Sequence, residues 1–168
     1  MKKKDNHHDR IRQARGRFGA MAATYSLGVF NDNFFKQAVL LLSVSAGLSY
    51  LQGFAASLFA LPFILFSACG GWLSDRFSKK KVILGAKALE IGAMTVGAAG
   101  LLLGNWSLIL AMLFIMGMQS AFFSPALNST IPELYPQDYV PRANGVIKLV
   151  TTLAILAGIA CAGVSLDQ

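Results

Sequence analysis

Two uncharged runs set what this chain can become. Gln37 to Ser74 is 38 residues without Asp, Glu, Lys or Arg, and Ile91 to Pro132 is 42. One helical crossing of a roughly 30 Å hydrocarbon core takes about 20 apolar residues. Each run is therefore too long for one span and about right for two. Between them lies G-W-L-S-D-R-F-S-K-K-K, Gly71 to Lys81, a basic loop pinned at a water interface between two membrane hairpins. Only 14% of the 168 residues are charged, against about 25% in soluble domains. The expected fold class is an all-α membrane protein.

The chain divides into a basic tail, residues 1–17, and a helical membrane domain, residues 18–166. Spans are expected near 18–48, 50–74, 82–103, 107–127 and 143–166, five in all. Gly47-Leu48-Ser49 and Gly104-Asn105-Trp106 mark two turns, and Pro62 sits inside the second span. Residues 128–142 carry Pro132, Pro136 and Pro141 and read as a loop. The tail has little to bury and is expected to be disordered or to lie on the membrane surface. The apolar segment after it outruns the 7–15 residues of a signal-peptide core, so it reads as a retained first span.

Net charge is +7, and seven of the fifteen Lys/Arg fall within the first 17 residues. The tail, the 74–81 loop and the 128–142 loop hold Lys/Arg, while the turns near 48 and 105 hold none. That asymmetry puts the N-terminus in the cytoplasm and the end of the fifth span outside. Basic residues beside a span favour anionic membrane lipids, and nucleic acid is not an expected partner. Cys69 and Cys161, each within an apolar run, read as small buried hydrophobes. His7-His8 reads as a solvated pair. No group of residues has metal-ligand spacing, no phosphate loop follows a strand, and no nucleophile has a base. No metal, no cofactor and no enzymatic activity are expected.

An ionisable group at membrane depth is disfavoured by roughly 3 kcal/mol on insertion scales and needs a reason to be there. In the first span Asp32 and Lys36 are spaced i, i+4, on one helix face, flanked by Asn31 and Asn33. Two readings stay open: a substrate or proton pathway, or a pair that neutralises itself. Lys87 and Glu90, spaced i, i+3, lie two turns from the basic loop; Lys87 reads as snorkelling to the interface, with Glu90 as its partner. Lys148 reads as snorkelling too. Gln119 reads as path lining or as interhelical glue. Gly85, Ala93, Gly97 and Ala98, and the stripe Ala154-Gly158-Ala162, read as small residues that let helices approach closely.

The spacing of Gly71, Asp75, Arg76, Lys79 and Lys80 resembles the loop between helices two and three of the major facilitator superfamily, with Ser78 where that family usually has Gly. F-N-D-N-F-F-K (Phe30 to Lys36), Ser124-Pro125-Ala126, Ile131-Pro132-Glu133-Leu134 and Arg142-Ala143-Asn144-Gly145 look like its lysophospholipid transporter branch. The resemblance covers about residues 20–165. It implies a twelve-helix fold in two halves, of which five spans here make a truncated N-terminal half. It implies that Asp32 and Asn33 line the substrate path, with Asn31, Lys36, Glu90 and Gln119 as further candidates, and that Asp75 and Arg76 join a conformation-dependent cytoplasmic latch. The implied function is alternating-access movement of a lysophospholipid across the inner (plasma) membrane. A missing second half or a fused acyltransferase is the implied partner. The rival expectations are an exporter of another small molecule and a non-transporting anchor for that acyltransferase. A fragment of this kind is expected not to transport alone.

Overall fold

The structure is a computed structural model. It describes the backbone of residues 2–166 and side chains from Ala14 onward. Six helices and no strand occur among the described residues: α1 (Lys2–Ser45), α2 (Leu51–Arg76), α3 (Lys79–Leu102), α4 (Trp106–Asn128), α5 (Ile131–Leu134) and α6 (Val140–Leu166). Four segments are long and apolar enough to cross a membrane by length and composition: α2, α3, the stretch Trp106–Leu134 and α6. The fifth long helix, α1, is diluted by its Asn, Asp, Lys and Gln residues. It takes its place by packing against α6, α2 and α4.

The helices are organised around α4. Half of its apolar stretch is buried by protein, against 17–22% in the other three. α2 and α3 each pack extensively on α4, and α1 packs on α6. Val39 of α1, Ala55 of α2, Ala93 of α3 and Met112, Leu113 and Met116 of α4 form one core. Backbones come close where side chains vanish. A Cβ placed on Gly117 of α4 would lie 2.3 Å from the Phe59 carbonyl oxygen of α2, and one on Gly70 of α2 would lie 2.4 Å from that of Ala121. Gly158 of α6 meets the Phe30 carbonyl of α1 in the same way, at 2.6 Å.

The turns near 48 and 105 end a helix alike. Gly47 and Gly104 have φ of +73° and +61°, the left-handed conformation that costs glycine little. Leu48 N–H donates to the Ser43 carbonyl and Asn105 N–H to that of Gly100, closing the last turn in each case. The Asn105 side chain then caps α4, accepting from Ser107 N–H at 2.9 Å and Leu108 N–H at 3.4 Å.

Several expectations need correction. The 74–81 loop shrinks to Phe77-Ser78, because α2 runs on to Arg76 and α3 begins at Lys79. Ser78 replaces the family glycine without strain, since its φ is −61°. The 128–142 loop contains α5, and Pro132 and Pro141 fall in the first turns of α5 and α6, where a missing N–H costs nothing. The backbone of residues 2–17 continues α1 as helix, which answers only the disordered one of the two expectations for the tail; its Lys, Arg, Gln and Ala residues favour that state. The side chains of His7 and His8 lie outside the described residues. Cys69 and Cys161 are exposed, as are Gly85 and Ala98: in a helix bundle surrounded by lipid, apolar residues need not face protein.

Candidate functional site

The polar residues of α1 meet those of α4 and α3 around a cavity. Asp32 is buried and accepts from α4 twice over. Gln119 Nε2 donates to its Oδ1 at 3.2 Å, and the Ser120 hydroxyl donates to its Oδ2. Gln119 Nε2 also donates to Ser120 Oγ at 2.8 Å. The Gln119 carbonyl oxygen is buried with no hydrogen-bond donor among the described residues. The cavity holds about 220 Å³ and is lined by Asp32, Asn33, Lys87, Gln119, Ser120 and Phe59, among others.

The expected pairing of Asp32 with Lys36 is not the one adopted. Lys36 Nζ donates to Asn33 Oδ1 at 3.0 Å and lies 5.2 Å over the Phe59 ring, outside the lining of that cavity. The cation that does line it is Lys87. Its ammonium pairs with Glu90 of the next turn and sits 4.9 Å over the Phe123 ring. Lys87 therefore points into the bundle instead of snorkelling. Gly28 makes room for it, since a Cβ there would come 2.8 Å from the ammonium nitrogen. Glu90 is held from the other side by Asn31 Nδ2 at 3.0 Å. Lys87 and Gly28 also line a second cavity of about 440 Å³ with Asn31, Glu90 and Met94. A line of polar groups thus runs from α3 across α1 to α4.

Sequence reasoning missed Ser120 and Gly28 and underrated Lys87. A serine in a span costs little and raises no alarm, and a glycine opposite a lysine is visible only once two helices are paired. The adjacency Gln119-Ser120 in an otherwise apolar span was the available signal.

At the end where α2 turns into α3, Lys79 Nζ donates to the Ser129 carbonyl at 2.9 Å and pairs with Glu133 of α5. Ser74 and Ser129 hydroxyls are 3.2 Å apart. This ties α2, α3, α4 and α5 together. Arg76 covers the Trp72 ring at 5.5 Å. Asp75 and Lys80 are exposed, Gly71 is half-buried, and Asp75 has no ion pair among the described residues. Close by, Phe18 and Tyr135 rings meet edge to face at 5.3 Å. Burial holds the Tyr135 phenol above its ordinary pKa, with Tyr139 adding to the effect.

A family model described as the Major Facilitator Superfamily matches residues 16–168. The chain is also similar to proteins named lysophospholipid transporter LplT from Salmonella newport, Salmonella heidelberg and Salmonella agona. Each is 31% identical over 155 residues, which is 92% of this chain and 37% of the relative. The chain thus spans 37% of the length of these curated relatives. No solved structure matches it.

Proposed function

Since the chain belongs to the Major Facilitator Superfamily, we propose that it forms part of a multi-pass inner-membrane transporter that moves a lysophospholipid by alternating access. The observation that carries this is the buried Asp32 carboxylate, held by Gln119 and Ser120 on the wall of a cavity that Lys87 also lines. Intramembrane charges usually face a cavity and mark a path. At about 220 Å³ the space falls below the roughly 300–1,000 Å³ of sites that enclose a whole small molecule. It suits a head group, with the acyl chain left outside. A zwitterionic head offers an ammonium for Asp32 and a phosphate for Lys87, and an N–H for the orphaned Gln119 carbonyl.

In this reading residues 18–166 form the membrane domain and 1–17 a basic flank on the cytoplasmic side, as the distribution of Lys and Arg favours. Asn31, Asn33, Lys36 and Glu90 set the polarity of the path, and Asp75 and Arg76 contribute to a latch at its cytoplasmic end. The names of the relatives support the lipid substrate. The span of 37% makes transport a property of this chain together with the remaining length that those relatives have.

The test is a chimaera in which this chain replaces the matching segment of the Salmonella newport relative, with uptake of labelled lysophosphatidylethanolamine as the readout. Asp32→Asn and Lys87→Gln should each lower uptake at least about tenfold, the effect of one lost charge-assisted hydrogen bond, with the protein still present in the membrane. Unchanged uptake in both variants would sink the assignment.

A further inference from the structure

Lys87 stands between two cavities. With Gly28 it lines both the Asp32 cavity and the larger one beside Asn31 and Met94, whereas Glu90 lines the larger one alone. The two carboxylate oxygens of Glu90 have separate donors on separate helices. Oε2 takes the Lys87 ammonium of α3, and Oε1 accepts from Asn31 Nδ2 of α1 at 3.0 Å. A partly buried ammonium needs an anion, because leaving one unpaired at such a place is strongly unfavourable. Glu90 is that anion here, and the side chains of the pair are 27% and 12% exposed. Asp32 is not, since its carboxylate is taken by Gln119 and Ser120.

The partner that can move is Lys87, a point charge on a flexible four-carbon stem. Gly28 leaves its ammonium room on the α1 side. The Phe123 ring, 4.9 Å from it, also lines the Asp32 cavity, so a cation crossing from one cavity to the other stays against an aromatic face. Glu90 is kept back by Asn31. A lysophospholipid phosphate carries one negative charge, as a carboxylate does, so exchanging one for the other leaves the ammonium balanced. We propose that Glu90 is a stand-in for the substrate phosphate: it holds Lys87 while the site is empty, yields it on loading and reclaims it on release. This rests on the reading that Lys87 meets the phosphate. Glu90 is then a positioning residue that weakens binding and speeds release without touching the substrate.

The same chimaera tests this with labelled lysophosphatidylethanolamine, by equilibrium binding in mild detergent and by uptake. Glu90→Gln keeps an oxygen for Asn31 and puts an N–H where Lys87 had its acceptor. It should tighten Kd at least about fivefold, since the substrate no longer displaces a charge-assisted hydrogen bond, while kcat falls. Glu90→Asp, which sets the charge one methylene further back, should move both in the same directions by smaller factors. In the Lys87→Gln background Glu90→Gln should change neither, because Glu90 acts only through Lys87. A tightening that persists in that background would overturn the exchange, since Glu90 would then be a repelling charge and not a stand-in. If Lys87→Gln weakens binding and neither Glu90 variant tightens it, the exchange fails and the transport reading stands. If Lys87→Gln leaves binding unchanged, both fail.

Discussion

Asp32 accepts from two donors that lie 87 and 88 positions further along the chain, and this separation fixes what single substitutions should do. Ser120→Ala removes one donor from a buried carboxylate, which costs roughly 1–3 kcal/mol. The double variant Asp32→Asn/Ser120→Ala should lose less than the sum of its parts, because the two side chains share one interaction. Reversible unfolding in mixed detergent measures the cycle, and strict additivity would refute the coupling. Lys79→Met should be milder. The Glu133 side chain is 65% exposed, and an ion pair so open to water contributes about 1 kcal/mol or less.

Helix pairs depend on missing side chains more than on present ones. Gly117→Ala and Gly158→Ala push a methyl against a backbone carbonyl that has no rotamer to escape into, so each should destabilise by about 1–3 kcal/mol. Gly53→Ala meets nothing within 4 Å and should be neutral or slightly stabilising. The same unfolding assay ranks the three, and a tolerant Gly117 would mean that α2 and α4 are further apart than described. Asn105→Ala removes the α4 cap, for about 1 kcal/mol. At this scale much was readable beforehand. The uncharged runs announced paired helices, and Gly47 and Gly104 announced where they turn. The Ala154-Gly158-Ala162 stripe announced a close contact, though not that α1 would fill it. The rotation of each helix about its axis was not readable. That is why Lys87, two turns from a basic loop, looked bound for the interface and in fact faces Asp32's cavity, and why Lys36 left Asp32 for Asn33. A periodic pattern assigns a face to a helix, but only the neighbours decide what that face meets.

For the molecule as a whole, the proposed topology makes a labelling prediction. With Cys69 and Cys161 replaced, cysteines at Leu48 and Leu103 should react with an impermeant maleimide in intact cells, and cysteines at Ser78 and Gln137 only after lysis. The reverse pattern would invert the path. Family membership rests on the match over residues 16–168, and the candidate site on how Asp32, Gln119, Ser120 and Lys87 meet around one cavity. The central position of α4 also has a bearing on how the chain is made. α1 leaves the ribosome carrying an aspartate that insertion disfavours by roughly 3 kcal/mol. Neither Gln119 nor Ser120 exists until more than eighty residues later. During synthesis α1 is thus a guest of the insertion machinery, or only loosely held in lipid, until α4 arrives to accept it. Truncated chains released from the ribosome after Gly104 should leave α1 extractable by alkali, and released chains that run beyond Ser129 should retain it. Biogenesis of this bundle then has a checkpoint in the middle of its fourth long helix.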